Sequence, residues 1–295
     1  MNNQAENLRL LAQRMKSNLQ AQINGETKIT RVITVTSGKG GVGKSNFTVN
    51  LGIALCELGQ KVIILDADLG LANIDVILGI SPAYNLAHVM AGEQTIKEIL
   101  CEGPKGVKII PGGSGMHELA NLKDWQLEHF LAKLSQLEGD ADILLIDTGA
   151  GLSRSVLSFA LAADEIIVIT TPEPTALTDA YGLIKTIRQQ RYQGKVNLVV
   201  NRVFSSAEAN VAYNKLKIVV NRFLKYSLDF LGYINEDPKV AQAVREQQPF
   251  ALAFPHTQAT HDIYLMAAKI CNQEYKPPLY HGVKGFFHKV ANFLK

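Results

Sequence analysis

The chain has 295 residues, 47% of them hydrophobic, and 30 basic against 27 acidic side chains leave a net charge of only +3. That apolar share suffices for a sizeable core and excludes a disordered chain, and the small net charge does not support gripping nucleic acid with the whole surface. The three cysteines, Cys56, Cys101 and Cys271, form no CxxC pair, which argues against a disulfide framework, a zinc ribbon or an iron–sulfur site and fits a reducing cytoplasm. The N-terminus lacks an apolar signal region and no window reaches the ~18 apolar residues of a membrane span, so the chain is expected to be neither exported nor membrane-spanning.

In chain order, residues 1–28 come first. Ala5, Leu8, Ala12, Met15 and Leu19 fall at three- and four-residue spacing, which predicts a helix with one apolar stripe. From about 31 to 271, short β-branched runs alternate with longer amphipathic stretches. Strands are expected at 31–36, 61–66, 107–112, 142–147, 165–170, 196–201 and 228–234, and helices at 44–58, 125–137, 152–163, 175–191, 207–226, 238–246 and 256–272. The strand runs are almost continuously apolar, as in strands covered on both faces. This alternation predicts an α/β fold: a doubly wound, mostly parallel sheet flanked by helices, in one domain. After the breaker "KPPLYHG", residues 282–295 place Val283, Phe286, Phe287, Val290, Phe293 and Leu294 on one helical face, with Lys284, His288, Lys289, Asn292 and Lys295 on the other. The division expected is 1–28, an N-terminal helix and linker; 29–275, the catalytic domain; and 276–295, a C-terminal amphipathic helix.

Directly behind the first strand stands "TSGKGGVGKS", which satisfies G-x-x-x-x-G-K-[ST] with Gly38, Gly43, Lys44 and Ser45 in a strand–turn–helix setting. A loop over Gly38, Lys39, Gly40, Gly41, Val42, Gly43, Lys44, Ser45 and Asn46 can wrap its N–H groups around phosphate oxygens, assisted by the positive end of the following helix. Lys44 would neutralise the β- and γ-phosphates and Ser45 would ligate Mg²⁺. Further carboxylates are needed where parallel strands end. "VIILDADLG" supplies Asp66 and Asp68, and "ILLIDTGAG" supplies Asp147. Asp147 reads as the Walker B group holding Mg²⁺, Asp68 as a metal-side carboxylate that orients the attacking water, and Asp66 either as a third member or as a turn cap. Lys39 comes too early in the loop to duplicate Lys44, and two ammonium groups on one phosphate chain would repel. It either reaches across an interface to the triphosphate of a second copy or is an ordinary solvated lysine.

Together "KGGVGKS" with Lys39, "DADLGLANID", "DTGAG" and "VVNR" resemble, in order, the deviant Walker A loop, the two switches and the adenine-reading segment of the MinD/ParA family of P-loop ATPases, in the SIMIBI class. The resemblance spans about 31 to 271. It implies ATP and Mg²⁺ as cofactors and a homodimer closed around ATP, with Lys39 crossing between subunits as a catalytic group beside Lys44 and Asp68. It also implies that Asn201 and Arg202 contact adenine and that "INEDP" closes the base pocket. Ser45-Asn46 departs from the two threonines of many relatives but keeps the magnesium hydroxyl.

The ends select a branch. "NNQAENLR" is similar to the DQAxxLR element of the FlhG (YlxH/FleN) branch, the MinD-like regulators of flagellar number and placement, where it activates the FlhF-type GTPase. Gln4, Ala5, Leu8 and Arg9 are retained and Asn3 replaces the leading acid. The bland alternative is a helix packed on its own domain. The C-terminal segment suits an anionic membrane, each lysine contributing about 1 kcal/mol, or else an intramolecular groove. These resemblances imply an ATP-hydrolysing switch in the cytoplasm that associates reversibly with the inner face of the cell membrane, with an FlhF-type GTPase and a flagellar C-ring component as partners and no nucleic acid. The alternatives are a septum-site MinD, a ParA-type DNA-segregation ATPase, and a nucleotide-binding scaffold of negligible turnover.

Overall fold

Residues 29–68, 73–113 and 132–275 are described by the computed structural model. The two end segments, and with them Gln4, Ala5, Leu8, Arg9 and the 283–294 apolar face, lie outside the described residues, as does most of the helix expected at 125–137. Eight strands form one sheet: β1 (Arg31–Ser37), β2 (Val62–Ala67), β3 (Cys101–Glu102), β4 (Lys108–Ile110), β5 (Ile143–Ala150), β6 (Glu165–Thr170), β7 (Lys195–Val203) and β8 (Asp229–Asn235). Their order is β3-β4-β2-β5-β1-β6-β7-β8, and every pairing is parallel except β3 with β4. The near-continuous apolar strands are double-covered as expected, β2 being buried throughout.

Helices α1 (Lys44–Glu57), α2 (Ile74–Leu78), α3 (Leu86–Ala91), α4 (Arg154–Ala162), α5 (Pro174–Gln189), α6 (Ser206–Leu224), α7 (Pro238–Arg245), α8 (Phe250–Ala253) and α9 (Gln258–Ile270) fill the connections. Alternate strand residues feed opposite faces: Ile33, Val35, Val62 and Ile64 join α1 and α9 in one core, and Ile166, Val168, Val196 and Leu198 join α4, α5 and α6 in another. Helix α1 buries ten of its fourteen residues, Phe47, Leu51 and Leu55 among them, at about 1.5–3 kcal/mol for each large side chain. That burial fixes the helix that begins at the glycine loop.

Parallel order places the loops that follow the seven parallel strands at one pole. Register then sets the neighbours: Asp147 of β5 stands beside Val35 of β1 and opposite Asp66 of β2. The free edge of β8 is blocked by side chains, for Lys269 donates to Leu231 O and Asp262 accepts from Asn235 N. At the far pole the start of β1 meets the end of α9, where Arg31 Nη1 donates to Ile270 O at 2.8 Å while its Nε donates to Glu165 at 2.7 Å.

The sequence reading missed β3, α2, α3 and α8. Each is at most six residues long, too short for a periodicity to emerge. The expected strand at 107–112 shrinks to Lys108–Ile110.

Candidate nucleotide site

The glycine loop owes its shape to two different constraints. A Cβ at Gly38 would lie 2.3 Å from the Asp179 carbonyl group, because α5 crosses against the loop there. Gly43 adopts φ +92°, a left-handed value that costs side-chain-bearing residues energy, and a Cβ on it would lie 2.3 Å from Asn201 Nδ2. The chain then turns directly into α1, so the first free N–H groups of a long buried helix face the loop.

Lys44 points inward. Its Nζ is 3.1 Å from Asp147 Oδ1, and Thr48 Oγ1 donates to the same oxygen at 3.0 Å. Asp147 has no exposure, and burial pushes its carboxyl above the ordinary range against the pull of Lys44, Ser45 and Thr48. Its other oxygen, Oδ2, is buried with no hydrogen-bond partner among the described residues. An orphaned carboxylate oxygen beside a serine hydroxyl fits a divalent cation. Among the described residues no three His, Cys, Asp or Glu side chains gather to hold a metal ion alone. A Mg²⁺ held by Ser45, Asp147 and phosphate oxygens is consistent with that donor set, since this ion needs few protein ligands.

Asp66 does more than cap a turn. Oδ1 accepts from Asp68 N at 3.2 Å, and Oδ2 from Asn73 N at 3.1 Å and Ile74 N at 3.3 Å, so one carboxylate ties the end of β2 to the start of α2. Burial, and then the neighbouring Asp147, raise its pKa to about 7. Asp68 follows on this support, its carboxylate lying against Gly149 of the β5 tip: a Cβ built there would sit 3.3 Å from Oδ1. The two loops expected to act on the γ-phosphate are therefore adjacent.

Lys39 is turned away from Lys44. Its Nζ lies 3.0 Å from both Glu173 Oε2 and Thr175 Oγ1, at the start of α5. Within this chain it is held in an exposed surface pair rather than beside Lys44. Glu173 and Thr175, like Thr48, were not singled out from sequence; they stand 134, 136 and 99 residues from the groups they bond, and no local pattern marks them.

On the other side of the loop a cavity of about 390 Å³ is lined by Gly43, Asn46, Asn201, Arg202, residues 234–237 and side chains of α7, with Phe250 behind them. Asn201 Nδ2 donates to Val42 O at 2.7 Å, and its Oδ1 accepts from Arg202 N at 2.9 Å. Arg202 itself takes φ +57°, a strained value of the sort that collects at binding sites. Asn46 contributes a buried, unpartnered Oδ1. Asn50, buried within α1, accepts from Ala251 N at 2.8 Å and so fixes the Phe250 wall. The structure thus brings Asn201, Arg202 and 234–237 together beside the glycine loop, in a space of the size a base requires.

A wrapped glycine loop on a buried helix, a lysine on a buried carboxylate and a base-sized cavity beyond parallel strand ends define a P-loop nucleoside triphosphatase. The ParA family model, described as NUBPL iron-transfer P-loop NTPase, matches residues 28–271. The chain is 39% identical to Antiactivator FleN of Pseudomonas aeruginosa over 83% of its length and 88% of that protein, and 34% identical to Flagellum site-determining protein YlxH of Helicobacter pylori over the full length of both. Among solved structures it resembles MinD of the MinC:MinD complex from Aquifex aeolicus, with TM-score 0.69 and 25% identity over 85% of this chain and 100% of that one. It also resembles MinD complexed with Mg-ADP from Pyrococcus horikoshii, with TM-score 0.66 and 27% identity over 82% and 96%. The chain belongs to the ParA/MinD family of P-loop NTPases. No helix among the described residues is long and apolar enough to cross a membrane. The three cysteines are free and partly buried, and burial raises each thiol's pKa.

Proposed function

We propose that the protein is an ATP-driven switch that closes as a homodimer around two ATP molecules and acts in setting the number or position of flagella, a role toward which the name of the Flagellum site-determining relative YlxH points. Ser45 and Asp147 hold Mg²⁺, which when bound screens the β- and γ-phosphates. Lys44 exchanges its bond to Asp147 for phosphate oxygens. Asp68, held on the loop that Asp66 supports, orients water for attack, and Asn201 and Arg202 fix the base.

The observation that carries this reading is the pair Lys39–Glu173. It lies at the nucleotide pole, exposed enough to exchange partners, and an ammonium group there can leave a carboxylate for the triphosphate of a facing copy. The apolar Val76, Leu152 and Phe204, all exposed and all following strand ends, suit a face that a second copy covers. On this reading 29–275 is the switching domain, 276–295 carries it to an anionic membrane once two copies combine their tails, and 1–28 engages an FlhF-type GTPase. A flagellar C-ring component reads the assembled state.

Size-exclusion chromatography with light scattering tests the central step. Asp68→Ala loaded with ATP and Mg²⁺ is expected to run as a dimer that hydrolyses little, and the same protein carrying Lys39→Ala as a monomer. If Asp68→Ala with ATP stays monomeric at tens of micromolar, the switch as described is wrong.

A further inference from the structure

Ten large apolar side chains are exposed among the described residues, and four of them fall within twenty residues: Phe204, Val211, Ile218 and Phe223, at 83%, 54%, 64% and 64% exposure. They belong to α6 and the residue before its cap. The inner side of this helix is fully employed, with Ala209, Ala212, Leu216 and Val220 buried against β7, β8 and α5. Its outer side carries Val211 and Ile218 seven residues apart, with Ala207 one turn ahead of them, the repeat of a helix seam. Along that seam run Lys215, Lys217 and Arg222, with Lys225 at the end, all exposed. The one acid of the helix, Glu208, is spent on the backbone N–H of Phe204. The helix therefore carries three cations against one anion, and four once its C-cap Lys225 is included, a surplus then equal to the net charge of the whole chain.

We propose that the outer face of α6 is a docking site for an acidic amphipathic helix of a partner protein. The partner would lay apolar residues on Val211 and Ile218 and set carboxylates on Lys215, Lys217 and Arg222, as flanking charges do in two-helix seams. Charge decides between occupants. Residues 1–28 hold four basic residues against two acids, and 276–295 hold four lysines and no acid, so neither end of this chain complements the face. The acidic 114–131 stretch lies in sequence between β4 and β5, whereas α6 joins β7 to β8 at the other side of the sheet. A second α6 would oppose like charges. Lipid suits it poorly, because Asn210, Asn214 and Asn221 break the apolar seam to a width too narrow to sink into a headgroup layer. The proposal does not depend on dimerisation or on the nucleotide.

The probe is a fluorescein-labelled three-heptad peptide with Leu at a and d and Glu at e and g, titrated with the full chain and followed by anisotropy; a twin peptide with Lys in place of Glu is the control. The Glu peptide is expected to bind, and the Lys peptide to fail. The double substitution Lys215→Glu with Arg222→Glu, and separately Ile218→Asp, are each expected to weaken binding about tenfold or more. Unaltered ATP binding shows that each variant is folded. Absence of binding, or binding that the variants leave intact, overturns the proposal. So does loss by these variants of pelleting with phosphatidylglycerol vesicles or of self-association, either of which assigns the face to lipid or to a second copy.

Discussion

Lys44 sits at the inner end of the glycine loop, 8% exposed and 3.1 Å from a carboxylate with no exposure at all; Lys39, at the outer end, is 40% exposed and 3.0 Å from a carboxylate that is itself 62% exposed. Both are lysine–carboxylate pairs of nearly equal length. Their energetics are unlike. Removing one member of a buried pair strands the other charge in a poor solvent, whereas an exposed pair contributes at most about 1 kcal/mol and can be traded for another partner. The inner pair belongs to the architecture of the site; the outer one is suited to changing hands.

Lys44→Ala should show the largest effect: loss of ATP binding by fluorescence titration, and a fall of about 3–5 kcal/mol in unfolding free energy in urea, because Asp147 is left uncompensated. If the variant is as stable as the parent, the inner pair is not the strut described. Lys39→Ala should keep ATP affinity within a few-fold while cutting steady-state turnover by roughly a hundredfold or more, the scale of a charged finger supplied in trans. Unchanged turnover would make the two lysines alike in being local.

Asp66, on the inner side, sharpens the contrast through pH. Its folded pKa of about 7 lies above the ordinary 3.8, so the folded protein holds a proton that the unfolded chain releases between those values. Its contribution is therefore full below about pH 4, declines as pH rises to about 7 and is level beyond. Urea midpoints of nucleotide-free parent and Asp66→Asn should diverge across that window in the variant's favour, by roughly 4 kcal/mol at most. A pH-independent difference would refute the raised titration of Asp66 in the folded protein. Glu173→Gln should do least: under 1 kcal/mol in stability, with the ATP-induced dimer forming at lower protein concentration because Lys39 no longer has to leave an anion. Weaker dimerisation would mean that Glu173 itself is needed at the interface.

The central strands were legible because burial on both faces writes unbroken apolar runs such as "VIILDA", and the phosphate loop because it must stand between a strand and a helix. Naming Asp147 and Asp68 needed only the rule that parallel strands end at one pole, whereas Asn201 was named through the resemblance of "VVNR" to the family's adenine-reading segment. What stayed hidden depended on approach between distant segments. Nothing near Lys39 in sequence announces Glu173, nothing near Asn201 announces Val42 O, and the outward seam of α6 looked like any amphipathic helix until its inner side was seen to be filled. The short helices after β2 escaped because five or six residues complete too few turns to leave a repeat.

The bond between Arg31 and Ile270 joins the first strand to the last helix at the pole away from the glycine loop. A pull on either end of the domain is thus delivered to one point and carried up the middle of the sheet by β1, the strand that holds the loop. In the function proposed above, a tether acting at that pole would leave the glycine-loop rim turned outward, free to face a second copy.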